Sequence, residues 1–110
     1  MVLATVRTAT VLGDPWLMRR FLQPSSVPSS SRALGWDRMR PTSSCGRRFT
    51  PAAFGHTGFT GTSLWIDPTL DLYVVLLTNR VYPQRPTDPM DGLARLRPRV
   101  HEAIVDALRM

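Results

Sequence analysis

The chain of 110 residues contains no lysine: all fourteen of its basic residues are arginine. A mechanism that needs a lysine base therefore cannot be completed by this chain. Cysteine occurs once, as Cys45, which excludes an intrachain disulfide and a thiol-only metal site and reads as a small structural or free thiol. The two histidines, His56 and His101, are far apart and lack the spacing of metal ligands. Long apolar runs are also missing. The longest, Leu72 to Leu77, is far short of a bilayer span, and the threonine-broken segment around Arg7 lacks the compact core of a signal peptide. Cytoplasmic location is the default expectation, with no membrane contact. No Gly-x-Ser-x-Gly elbow occurs, and Ser43 and Ser44 beside Cys45 match no nucleophile motif.

The apolar content of 43% is near the globular norm, and the length sets a ceiling of one small domain or part of a larger one. Ten prolines, and the low-complexity stretch from Pro24 to Ser31, shorten the packable length and place the expected core after Trp36. A net charge of +6 and a pI near 11.2 raise a nucleic-acid reading. The arginines, however, are scattered and no aromatic platform interleaves them. They read as solvated surface, with no nucleic-acid partner.

Local signals give the order helix, linker, hairpin, helix. Asp14 as N-cap and Pro15 at the first helical position open a short amphipathic helix through Leu22, with Leu17, Met18, Phe21 and Leu22 apolar. Ala33 to Asp37 reads as a short strand or ordered turn. Strands are expected over Gly58 to Ile66 and Leu72 to Thr78, joined by the turn chemistry of Asp67-Pro68-Thr69-Leu70-Asp71. The second strand is apolar on both faces, which predicts cover on both sides of the sheet. A last helix is expected from about Pro98 to Leu108, with Val100, Ile104, Ala107 and Leu108 as its apolar face and His101 at the surface or boundary. Trp16, Trp36 and Trp65 read as core or boundary aromatics, and Asp67 and Asp71 as turn formers.

The run Gly55-His56-Thr57-Gly58-Phe59-Thr60-Gly61-Thr62, leading into Leu64-Trp65-Ile66, carries the chemical signal. Three glycines at the head of a β-branched, aromatic segment mark a bulge or the close approach of a ligand to backbone. With the Trp65-Ile66-Asp67-Pro68 turn and the strand Val74 to Arg80, this run resembles the carboxy-terminal part of the serine β-lactamase and penicillin-binding-protein superfamily. Similarity is greatest to the branch of class C β-lactamases, D-amino-acid peptidases and esterases, and it covers roughly Trp36 to Leu108. The implied fold is α+β, an antiparallel hairpin flanked by an amino-side helix and a terminal helix. Residues 1–35 would form helix and linker, and residues 36–110 the cleft strand, hairpin and closing helix.

In that family a Lys-Thr-Gly box, at times His-Thr-Gly, lines the catalytic cleft. The resemblance implies that His56 offers a hydrogen bond and a pH-dependent charge, and that Thr57 offers a hydroxyl to a substrate carboxylate or carbonyl. Gly58 would let an acyl chain lie against the strand, and the Phe59 backbone N–H would be one oxyanion donor. The superfamily's Ser-x-x-Lys nucleophile box and its Tyr-x-Asn box are both absent here, and both precede the His-Thr-Gly strand in the family. The expectation is a carboxy-terminal segment of an acyl-serine hydrolase, inactive alone, with no cofactor or metal. Its partner would be a small ester, amide or β-lactam once an amino-terminal fragment completes the site. The alternative is a small non-catalytic binding module that uses the hairpin edge.

Overall fold

The computed structural model describes residues 13–88 and 92–109. The segment around Arg7 lies outside the described residues. The elements run α1 (Pro15–Leu22), β1 (Asp37–Arg38), β2 (Phe54–Thr57), β3 (Ser63–Asp67), β4 (Leu72–Leu76) and α2 (Gly92–Leu108). The strands form one antiparallel sheet in the order β1-β2-β3-β4, giving an α+β fold with a helix near each end around the hairpins.

The first helix forms where the sequence predicts it. Asp14 accepts a hydrogen bond from the Trp16 amide at 2.8 Å, Pro15 occupies the first turn, and Arg19 and Arg20 lie in the last turn, where the helix dipole favours cations. Leu22 is buried, and its carbonyl accepts from Arg38 Nη1 at 2.6 Å. Trp16 is instead largely exposed, so among the three tryptophans the core or boundary expectation holds for Trp36 and Trp65 only.

The turn between β3 and β4 also matches expectation, and Asp67 does more than start it. Its carboxylate is wholly buried and accepts from the amides of Thr69 at 3.0 Å and Leu70 at 3.2 Å, as a turn former does. It also accepts from the Thr50 amide at 2.6 Å and the Thr50 hydroxyl at 2.9 Å, tying the preceding loop to the hairpin. Asp71 closes the turn at φ 52°.

Three expectations are corrected. The strand expected over Gly58 to Ile66 is interrupted: His56 and Thr57 end β2, a turn follows, and β3 begins at Ser63. Of the three glycines, Gly55 lies in β2 under close approach, whereas Gly58 and Gly61 reverse the chain, so His56 and Thr57 belong to the partner of β3 rather than to β3 itself. The last helix starts at Gly92, six residues before Pro98, which sits inside it. Pro98 cannot donate to the carbonyl of Ala94, a loss that costs about 3 kcal/mol in a free helix; burial of Leu93 and Arg97 ahead of it offsets this. The buried row of α2 is Leu93, Arg97, His101 and Val105, spaced four apart, while Ala107 and Leu108 are exposed. Two polar residues in that row hide it from a reading based on apolar periodicity.

Alternation along the strands separates two cores. On one side Trp65, Val74 and Ala53 pack with Cys45, Phe49 and Val105 of α2. Gly55 opposes Trp65 in the register, and a Cβ at Gly55 would lie 2.5 Å from the indole Cδ2, so only glycine fits beneath the ring. On the other side Phe54 and Ile66 pack with Leu22, and Trp36 meets Phe54 edge-on at 5.0 Å. The expected cover on both faces of β4 is not found among the described residues: Val74 is buried, but Tyr73 and Val75 are exposed.

The irregular segments are held by arginine. Arg38 donates to the carbonyls of Leu22 and Pro51, and Arg40 to those of Ser29 and Ser30. The planar guanidinium reaches two carbonyls at once, which a lysine ammonium does poorly. These arginines are structural ties rather than purely solvated surface.

Candidate functional site

The turn after β2 sets the geometry of the His-Thr-Gly box. Gly58 N donates to Thr62 O at 2.7 Å and Gly61 N to Gly58 O at 3.2 Å, with Gly61 at φ +119°, a conformation that side chains disfavour. Thr78 Oγ1 donates to Gly61 O at 2.5 Å and fastens the turn to the chain after β4. From α2, Arg97 Nη2 donates to Gly58 O at 3.1 Å and Thr62 O at 2.9 Å. A Cβ on Gly58 would run into the Thr62 hydroxyl, so the turn itself requires a residue without a side chain there.

His56 and Thr57 are neighbours on β2, and alternation sends their side chains to opposite faces. His56 is exposed. Its Nε2 lies 3.2 Å from Arg32 Nη1 and its Nδ1 lies 2.8 Å from Thr57 O. A guanidinium only donates and a carbonyl only accepts, so Nε2 accepts from Arg32 and Nδ1 carries the proton. Thr57 faces a cavity of about 510 Å³ between the β1–β2 edge, the loop after β1 and the first half of α2. Ser31, Asp37, Arg40, Ser44 and Arg97 also line it. Ser31 Oγ donates a short hydrogen bond to Asp37 Oδ1, and the Ser44 hydroxyl accepts from Trp65 Nε1 at 2.9 Å. The wall is thus hydroxyl-rich, with one carboxylate and two guanidiniums.

Phe59 follows the box. Its exposed ring lies 5.2 Å from the Arg80 guanidinium carbon and 4.9 Å from that of Arg85, within cation–π reach. Among the described residues its N–H makes no hydrogen bond. The structure therefore brings together Thr57, Arg97 and the cavity, and leaves His56 on the other face with Arg32. Neither arginine was singled out by the sequence. The available signal for Arg97 was its place four residues before His101 and four after Leu93.

A family model described as Beta-lactamase matches residues 4–97. The chain belongs to the Beta-lactamase family. That places it in the serine β-lactamase and penicillin-binding-protein-like superfamily of hydrolases, and no curated protein matches it. The Beta-lactamase match takes in α1 and the Ser/Pro-rich stretch as well as the segment after Trp36, and it ends at Arg97, the residue that ties α2 to the Gly58 turn.

Behind this Beta-lactamase wall lie two titratable groups that do not line the cavity, one of them bonded to the carbonyl of Arg97. His101, expected at the surface, is wholly buried, with its ring 5.8 Å from Phe49. Burial, and secondarily the Arg97 charge, hold its pKa below the usual histidine value. The Cys45 thiol is buried and free, and desolvation pushes its pKa up to about 12. Among the described residues no cluster of His, Cys, Asp or Glu could hold a metal, and no helix is long and apolar enough to cross a membrane.

Proposed function

We propose that this chain is the carboxy-terminal portion of a β-lactamase-like serine hydrolase of the class C, D-aminopeptidase and esterase branch, supplying one wall of the acyl-transfer site and inactive alone. The reading rests on the end of β2: the Phe59 N–H is unspent beside a Thr57 hydroxyl that opens onto a polar cavity. In an intact site that amide would donate to the developing oxyanion, a contribution worth about 100-fold or more in rate. Thr57 would hold a substrate carboxylate or carbonyl, and the turn built on Gly58 would keep Phe59 in position. The nucleophile and its base would come from a Ser-x-x-Lys segment that this lysine-free chain lacks.

The test is turnover of a chromogenic β-lactam and a p-nitrophenyl ester. Alone, the chain is expected to match its His56→Ala variant. Turnover above that control would sink the claim of inactivity. Mixing with a separately produced segment bearing Ser-x-x-Lys and Tyr-x-Asn is expected to restore hydrolysis, which Phe59→Pro, lacking the N–H, would abolish.

One observation favours a second reading, a non-catalytic module that binds through its hairpin edge: the exposed outer face of β4. Coding sequence for both boxes immediately upstream would decide for the hydrolase, and its absence for the module.

A further inference from the structure

The cavity beside Thr57 contains one carboxylate, Asp37, half-buried on β1. Asp37 Oδ1 accepts from the Ser31 hydroxyl; among the described residues Oδ2 accepts nothing, and no cation pairs with this carboxylate within salt-bridge distance. The two guanidiniums of the same wall are directed elsewhere, Arg40 to the carbonyls of Ser29 and Ser30 and Arg97 to those of Gly58 and Thr62. We infer that this cavity takes a short peptide with both ends uncapped, its ammonium on Asp37 Oδ2 and its carboxylate on the Thr57 hydroxyl, facing the Arg40 and Arg97 charges. The assignment rests on the reading of this cavity as the substrate side of an acyl-transfer site.

Charge selects a dipolar ligand. A simple cation would meet Asp37 but also two guanidiniums, and a simple anion would meet those guanidiniums but also an uncompensated carboxylate. Opposite charges at the two ends of one ligand satisfy both parts of the wall, and each mismatch penalises a ligand that carries one charge alone. Because backbone carbonyls already hold both guanidiniums, binding does not bear the cost of ordering two long side chains.

The strand register sets the length of the ligand. Asp37 is the Cα partner of Gly55, and Thr57 lies two residues further along β2, so Asp37 and Thr57 share a face as diagonal neighbours. Such neighbours are about 7–8 Å apart, and side chains standing perpendicular to the sheet keep roughly that spacing at their tips. An extended dipeptide spans about 7 Å, whereas one amino acid spans about half of that and a tripeptide about 10 Å. The cavity volume of about 510 Å³ lies within the range of small-ligand sites and leaves space for the peptide's side chains.

Titration of the full chain with dialanine, followed by the Trp65 indole N–H resonance, tests the inference, because Ser44, which accepts from that N–H, lines the cavity. Dialanine is expected to bind roughly tenfold or more tightly than N-acetyl-dialanine, dialanine amide, alanine or trialanine. Asp37→Asn, which keeps an acceptor for Ser31, should lose the preference for the uncapped ammonium and retain the one for the carboxylate. If that variant does not fold, the comparison of the capped and resized ligands on the wild type decides. No binding of dialanine, equal binding of its N-acetyl form, or an unchanged preference in folded Asp37→Asn would overturn the inference. Hydrolysis restored by the separate Ser-x-x-Lys segment without any preference for uncapped ends would overturn the peptide assignment alone. That preference without restored hydrolysis would support the peptide ligand and overturn the acyl-transfer reading.

Discussion

His101 Nδ1 lies 2.6 Å from the carbonyl oxygen of Arg97, one turn earlier on α2, in a ring with no exposed surface. The carbonyl can only accept, so Nδ1 carries the proton, and Nε2 is left without a hydrogen-bond partner among the described residues. An added proton would be buried unpaired beside the Arg97 guanidinium.

Acid should therefore weaken the fold through this residue. Unfolded, His101 takes a proton near its ordinary value of 6.5; folded, its pKa is lower. Between those values the unfolded state binds more protons, so stability is complete above about pH 6.5 and declines as pH falls toward the folded pKa. Urea unfolding at about pH 7.5 and about pH 5 should show a larger loss for the wild type than for His101→Gln, which does not titrate. Equal losses would remove His101 from the account.

Cys45 should be chemically silent in the folded chain. A thiol with a pKa near 12 holds almost no thiolate at neutral pH, and burial denies access as well. An aromatic disulfide reagent should label it only on the timescale of unfolding, and denaturant should make the reaction immediate.

The Asp67 carboxylate should be among the most sensitive positions. Asp67→Ala removes the acceptor for three backbone amides and the Thr50 hydroxyl inside the fold, a loss expected to cost about 3 kcal/mol or more in urea unfolding. Asp67→Asn keeps one acceptor oxygen and should cost less.

What the sequence made legible was chemistry that acts within a few residues. Asp14 with Pro15 announced α1, and the Asp67 to Asp71 run announced the β3–β4 turn, because capping and turn formation are local. The His-Thr-Gly box was visible by resemblance, yet its strand was misplaced. Gly58 and Gly61 shape a turn whose logic rests on Thr62, Thr78 and Arg97, and Arg97 is distant in sequence. The same limit applies to α2, whose buried row contains an arginine and a histidine that become intelligible only beside the Gly58 turn and Phe49. Arg32 and Arg97, the charged neighbours of the box, looked like any other surface arginine.

Replacing Arg97 with lysine should expose that coupling. Both bonds come from the terminal Nη2, which the shorter lysine side chain does not reach, so Arg97→Lys is expected to cost about 1–2 kcal/mol. Amide resonances of residues 58–62 should shift while those of α1 stay in place. A variant with wild-type stability and unchanged resonances would show that the tie is dispensable.

The arginine ties also decide how a protease meets this molecule. Trypsin must draw an arginine side chain into its own pocket, and at Arg38 that side chain is already spent on the carbonyls of Leu22 and Pro51, while Arg40 and Arg97 each precede a proline, before which trypsin does not cut. Arg47, exposed in the irregular segment between β1 and β2, has a side chain with no hydrogen bond or ion pair among the described residues and becomes the natural first cut. The folded chain should part first at the Arg47–Arg48 bond into two pieces that remain together, because β1 stays paired with β2 and Arg38 reaches the Pro51 carbonyl across the cut.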